Sequence, residues 1–227
     1  MIDFEKIIQS EASSFHQVVD FDRAEDKIVA LTFTTSNTEV NSEILNNTGL
    51  FCDWINNQMI KNGARYAMGG YDEHRTIYAR SAHFSGAEEP RRLHLGVDIW
   101  ADAGTPIYNF YDAHVHSFAN NDHFGDYGGT IVLTYIIDGF KFNVLYGHLS
   151  LASLKGLSDG DFIPKGKLFA TFGKPEENGH WPPHVHFQIV INMNNLKGDY
   201  PGVCKFSERE KYLQNSPNPA LILKYNF

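Results

Sequence analysis

Hydrophobic positions in the first third of the chain follow two periods. Residues 51–59 place Phe51, Trp54, Ile55, Gln58 and Met59 at i, i+3, i+4, i+7 and i+8, which predicts a helix with one buried face. Gly63 stands where such a helix would stop. Upstream, "DKIVALTFTT" alternates Ile28, Ala30 and Thr32 against Val29, Leu31 and Phe33, which predicts a strand buried on both faces. Residues 69–90, "GGYDEHRTIYARSAHFSGAEEP", are polar and rich in turn formers, and predict a connection draped over another surface.

From Leu93 onward the pattern changes to short runs of Val, Ile, Phe, Tyr and Thr separated by Gly, Asp, Asn and Pro. Within "GTIVLTYIIDGFKFNVLYGHLS", Asp138-Gly139 suits a two-residue hairpin turn, because both central positions want positive φ. The segment "DFIPKGKLFATFG" carries two closely spaced turns. The tail predicts one short helix over residues 207–213, then Asn-x-Pro turns and a closing apolar segment. These elements predict an α+β fold, predominantly antiparallel β. An N-terminal α/β extension (residues 1–90) would pack on a core with a C-terminal extension (residues 91–227).

Composition narrows the class. The chain has 227 residues, 42% hydrophobic and 14% aromatic, enough for a sizeable globular core. A formal net charge of -8 offers no basic patch for a phosphate backbone, so nucleic acid is not an expected partner. Cys52 and Cys204 belong to no Cys-x-x-Cys pair and are expected as two unpaired thiols. The start, "MIDFEKIIQSEASSF", holds Asp3, Glu5 and Glu11 and no signal-like apolar core. No run approaches the roughly 18 apolar residues of a membrane span. A cytoplasmic location is the expectation as written, with a periplasmic or extracellular one requiring unconventional export.

Histidines bring in chemistry. His-Val-His occurs twice, at residues 114–116 and 184–186. In a strand, residues i and i+2 share a face about 6.6 Å apart, so both imidazoles of such a pair can enter one cavity. That suits two metal ligands, or one ligand beside an acid/base, and spacing does not choose between them. In "HLGVD", His94 and Asp98 would lie about 13 Å apart on an ideal strand, too far to share one ion. Either the strand bends at Gly96 or His94 lies on the loop that enters it. His148 ends the apolar hairpin in "LYGHLS".

The order "HLGVDIWADAGTPIY", "LYGHLS", "PPHVHFQI" resembles the lysostaphin/LytM-type zinc metalloendopeptidases, which cut peptide cross-links of peptidoglycan. The agreement runs from about residue 94 to 189. The segment "GDFIPKGKLFATFG" stands where that family has a Gly-Asp…Gly…Gly hairpin. The resemblance implies a β-sandwich or barrel-like core of duplicated hybrid motif with a groove. It implies Zn2+ held by His94, Asp98 and His186, with His148 and His184 as active-site histidines and Tyr146 facing substrate. The earlier pair, His114 and His116, then decorates a strand, as His16, His123 and His180 decorate the surface. Trp100, Tyr108 and Trp181 divide between groove and core packing.

Two neutral imidazoles and one carboxylate would leave Zn2+ a net +1 charge and a position for water. No His-Glu-x-x-His helix is present, so a histidine must serve as general base, with His184 the better candidate and His148 acting on the oxyanion or leaving amine. The expected activity is a zinc-dependent endopeptidase acting on peptidoglycan, muropeptides or related short peptides. The alternative is a non-catalytic or latent LytM-like binding module whose groove is occluded by the extension, with Asp72 or His74 in the fourth zinc position. A serine or cysteine hydrolase is set aside, because no Gly-x-Ser-x-Gly elbow occurs.

Overall fold

The computed structural model describes residues 4–85 and 89–225; residues 86–88, inside the segment predicted as a connection, lie outside it. In chain order the strands are β1 (Ile28–Leu31), β2 (Tyr66–Gly69), β3 (Glu73–His74), β4 (Leu93–His94) and β5 (Val97–Trp100). Next come β6 (Pro106–Tyr108), β7 (Ala113–Asn121), β8 (Gly128–Ile137) and β9 (Phe140–Leu149). The last are β10 (Phe162–Ile163), β11 (Leu168–Thr171), β12 (His184–Val190) and β13 (Val203–Cys204). One eight-stranded sheet runs β1-β2-β5-β12-β9-β8-β7-β10, with β11-β6 and β13-β4-β3 forming smaller sheets. Among the described residues only β1 and β2 pair in parallel; the fold is α+β and predominantly antiparallel.

Period-two alternation divides the large sheet's residues between two faces. Val97, Ile99, Val144, Val185, Phe187 and Ile189 enter the main core with Ile131, Leu133 and Tyr135. That core is capped by Ile8 of helix α1 (Phe4–Glu11) and by Ile222 and Leu223 of a C-terminal turn of helix, residues 220–223. The opposite positions, Asp98, Trp100, His184, His186 and Gln188, point to a second layer. That layer is built largely from the N-terminal extension: Phe33, Phe51, Ile55, Ile77 and Tyr78 pack with Trp100 and Trp181.

Several local expectations are met for the predicted reasons. After a short helix α2 (Ser42–Asn46), helix α3 (Thr48–Asn62) begins where the Asn47 side chain accepts from the Leu50 N–H, and it ends at Gly63 with φ 57°. It buries Phe51, Ile55 and Met59, the predicted stripe. Full burial of Phe51 and Ile55 stabilises this layer by about 1.5–3 kcal/mol each. Asp138 and Gly139 join β8 to β9 with φ of 48° and 75°. In the tail, helix α4 (Arg209–Asn215) starts two residues later than predicted, after a single 3-10 turn. Both cysteines are free thiols.

Three local expectations are corrected. β1 is an edge strand with Ala30 exposed, not a strand buried on both faces, because β2 is its sole partner in the sheet. β10 and β11 do not form a hairpin with each other: β10 extends the large sheet along β7, and β11 pairs with β6. The stretch from Gly69 to Phe84 is not a drape over a finished surface, because Arg75, Ile77, Tyr78 and Phe84 are buried against the core.

Candidate metal centre and active site

β5, β12 and β9 are neighbours at the centre of the large sheet, and they supply Asp98, His184, His186 and His148. Register pairs His186 with Asp98 on one side and with Gly147 on the other. His94 comes from outside this sheet. The chain leaves extended pairing at Leu95 and Gly96, so β4 joins β13 and β3 while β5 joins the large sheet. This break resolves the spacing problem in "HLGVD": His94 Nε2 lies 3.3 Å from Asp98 Oδ1. A Cβ on Gly96 would stand 2.6 Å from His186 Cε1, so only glycine lets the crossing chain pass the imidazole.

His148 reaches the site through an irregularity. The β8–β9 register shifts between Gly129 and Ile131, and His148 itself has φ 62°. Tyr146 faces the main core, while Gly147 and His148 both face the site. A Cβ on Gly147 would meet Tyr127 Cδ1 at 2.4 Å, and Tyr127 fills that space against His186, ring centroids 5.2 Å apart.

The ligand atoms of His94, Asp98 and His186 all lie within 4.8 Å of one another. His94 Nε2 and His186 Nδ1 are 2.9 Å apart, and His186 Nδ1 is 3.0 Å from Asp98 Oδ1. All three residues are buried. Hydrogen-bond partners on the far side decide the tautomers. His94 Nδ1–H donates to the Gly70 carbonyl at 2.8 Å, which leaves Nε2 a bare lone pair. Gln188 Nε2 donates to the Pro201 carbonyl and Ser216 Oγ, so its Oε1 accepts from His186 Nε2–H at 2.9 Å. His186 Nδ1 is therefore bare as well. Two lone pairs at 2.9 Å with a carboxylate beside them contain no proton to share. A cation resolves that arrangement, and edges of 2.9–3.3 Å need open only slightly to reach the roughly 3.3–3.6 Å of a tetrahedral ion with bonds of about 2.0–2.2 Å. The donor set fits Zn2+.

The remaining pair is prepared in the same way. His148 Nδ1–H donates to the Asn178 carbonyl at 2.8 Å, and His184 Nδ1–H to the Pro182 carbonyl at 2.7 Å. The two rings lie 4.1 Å apart, and His184 Nε2 is 3.9 Å from Asp98 Oδ1. Trp100 stacks on His184 with centroids 5.5 Å apart.

Electrostatics follow burial. Burial pushes His94 down to about 4, with Arg75 adding to the effect, and pushes His184 down to about 4 against the attraction of Asp98. Burial likewise drives His148 well below the usual histidine range, helped by His184. For Asp98 burial acts upward, but the neighbouring His94 and the Arg75 guanidinium outweigh it and hold the carboxyl well below the usual range. At neutral pH the centre holds one carboxylate beside the neutral imidazoles of His94, His148 and His184.

A cavity of about 140 Å³ opens on these groups. Its walls include His94, Asp98, His148, His184 and His186, with Tyr78, Phe84 and Phe51 from the extension and Trp100 and Trp181 from the core. Arg91, Asp126 and Asp199 also line it.

The structure brings together five of the six residues singled out in the sequence. Tyr146 is the correction. It is fully buried in the main core, with its hydroxyl 2.7 Å from that of Tyr135, because strand alternation turns it away from Gly147. The tyrosines that line the cavity are Tyr78, Tyr127 and Tyr200, and reading the sequence missed all three. Asp72 and His74 do not reach the centre: Asp72 pairs with Arg209, and His74 is exposed beside Phe206. Arg75, the next residue along, does reach it. Gln188 was also missed, although its place two residues after His186 on the same strand face was a signal. Of the aromatics left divided, Trp100 and Trp181 line the cavity and Tyr108 does not. His114 and His180 are exposed and His116 half-buried, all away from the cluster.

Residues 92–197, a little under half of the chain, match the family model of Peptidase family M23. A search of curated proteins returns no match. Among solved structures, the catalytic domain of the antimicrobial peptidase lysostaphin from Staphylococcus simulans is similar at 22% identity and a TM-score of 0.44, covering 77% of this chain and 98% of that one. A zinc-containing peptidase from Vibrio cholerae is similar at 22% identity and a TM-score of 0.35, over 44% of this chain; the chain spans 28% of its length. The catalytic domain of the prophage-encoded M23 protein EnpA from Enterococcus faecalis is similar at 21% identity and a TM-score of 0.38, covering 52% of this chain and 85% of that one. The ordered motifs of the sequence and this match agree: residues 92–197 are similar to the LytM-type core of Peptidase family M23.

Proposed function

We propose that the chain is a zinc-dependent endopeptidase that hydrolyses peptide bonds of peptidoglycan, muropeptides or related short peptides. The observation that carries this reading is the convergence of bare lone pairs from His94 and His186 with the Asp98 carboxylate, beside two further neutral histidines in one cavity. Zn2+ bound by these three residues would supply Lewis acidity, bringing the pKa of a water toward 7 and polarising the scissile carbonyl.

The chain's own groups do the rest. His184 presents an unprotonated Nε2, kept neutral by burial, and accepts the proton of the attacking water. Burial also makes the imidazolium short-lived, so the proton is readily passed on. His148, 4.1 Å away between ring centroids, stabilises developing oxyanion charge or delivers a proton to the leaving amine. Pro182 and Asn178 carbonyls hold both rings in the required tautomer. Tyr78 accepts a long hydrogen bond from Arg75 at 3.4 Å, which leaves its own O–H available to the cavity.

One observation favours a second reading, a latent binding module. Phe51, Ile77, Tyr78 and Phe84 of the extension wall the cavity that holds the ligands. Zinc-loaded protein digested with muropeptides and followed by mass spectrometry separates the two. New peptide termini that disappear in His184→Ala support the enzyme; full zinc with intact muropeptides supports the module.

A further inference from the structure

β2 pairs with β5, placing Gly69 opposite Asp98, and β3 pairs with β4, placing Glu73 opposite His94. The segment between β2 and β3 therefore bridges the two strands that carry the first two ligands. Arg75, just past β3, is 1% exposed and enters this junction from outside residues 92–197. Its Nη1 donates to Asp98 Oδ2 at 2.5 Å, and its Nε donates to Glu73 Oε2 at 2.6 Å. Glu73 is itself held by Thr32 Oγ1 and the Phe33 N–H. The guanidinium lies between the rings of Phe33 and Trp100, at 5.4 and 5.9 Å from their centroids. Every direction in which this side chain could swing is filled.

Asp98 thus divides its oxygens: Oδ1 faces His94 and His186, and Oδ2 faces Arg75. We propose that Arg75 is a positioning residue that clamps Oδ2, so that Asp98 offers a single oxygen to the metal and the centre keeps a position for water. The proposal rests on the reading of His94, Asp98 and His186 as a zinc site. Without the clamp the carboxylate is free to turn and present both oxygens, which fills the position that water needs. Glu73 balances the added positive charge, so the clamp acts through geometry, and the N-terminal extension is a structural part of the centre.

The test compares wild type, Arg75→Met, Arg75→Lys and His186→Ala as full-length chains. Zn2+ affinity is measured by competition with a chromophoric chelator, and Co2+-loaded protein is followed by visible absorption. Arg75→Met is expected to bind Zn2+ about 10–100-fold more weakly. Its Co2+ spectrum is expected to change as the second carboxylate oxygen takes the place of water. Arg75→Lys, which keeps the charge and one donor, is expected to recover most of the Co2+ spectrum. If Arg75→Met fails to fold, Arg75→Gln, shorter and uncharged, takes its place: it is expected to weaken Zn2+ binding and change the Co2+ spectrum in the same sense, and wild-type values there overturn the proposal. Identical Co2+ spectra and affinities in wild type and Arg75→Met overturn it directly, with the zinc site intact. No metal uptake by wild type, matching His186→Ala, removes the zinc site itself and the clamp with it.

Discussion

The tripeptide His-Val-His occurs twice and has two fates. On β12, in the middle of the eight-stranded sheet, His184 and His186 are 4% and 3% exposed and meet at the candidate metal centre. On β7, next to the sheet's edge, His114 is exposed and His116 half-buried, with only β10 beyond them. Val115 and Val185 are buried in the same core. Local sequence therefore does the same thing in both places: it points valine inward and two imidazoles outward. The difference lies in what covers the outward face. β12 is overlaid by the extension and flanked by Asp98 and Gly147, whereas His114 meets Phe162 and the Gly160 carbonyl and His116 meets Ser117. An imidazole pair becomes a site when neighbouring strands supply a carboxylate and a lid.

The largest expected break in this comparison is Asp98→Ala. It removes the sole carboxylate ligand and leaves Arg75 buried without that partner. Stoichiometric zinc is lost, activity falls to background, and Arg75, left with Glu73 as its carboxylate partner, loses a charge-assisted hydrogen bond worth about 1.5–3 kcal/mol. Metal analysis and thermal melting check it. Next is His184→Ala, which keeps zinc while hydrolysis falls about 10²–10⁴-fold. Equal metal content and activity in the two variants would refute the division of roles.

A smaller effect appears on acidification of the zinc-free protein. His94 and His184 are held near 4 when folded, below the roughly 6.5 of an unfolded histidine, so the unfolded chain binds more protons across that window. Their contribution to stability is complete above about pH 6.5 and declines as pH falls toward about 4. The depressed carboxyl of Asp98 acts in the same direction at lower pH. Melting temperature should drop by roughly 5–10 °C across the upper window. A flat profile would mean that these histidines are not buried neutral. The smallest effect belongs to the other pair: His114→Ala with His116→Ala should shift stability by no more than about 0.5 kcal/mol and leave zinc content unchanged. Zinc loss there would erase the contrast.

The legible part of this protein was local or carried by ordered motifs. Helical spacing located α3, and Asp138-Gly139 located the β8–β9 turn, because both depend on a few adjacent residues. The five histidine and aspartate residues were legible through the resemblance, not through spacing, since an ideal strand kept His94 and Asp98 apart. Tyr146 was misplaced because alternation identifies two faces without saying which is the site. The register shift then lets Gly147 and His148 share one face. Arg75, the Gly70 carbonyl, Gln188 and Tyr127 were hidden because their roles exist only across the pairings of β2 with β5 and β3 with β4, and in the loops beyond β12.

Taken alone, the order of residues determined the antiparallel character and the turns, since these follow from backbone preference, and its ordered motifs named the candidate site residues only by resemblance. Tertiary structure decided which imidazoles meet, which tautomers they hold and how the Asp98 carboxylate divides its oxygens. Those properties depend on distances of about 3 Å between residues up to 92 positions apart, such as His94 and His186, and no local pattern encodes them.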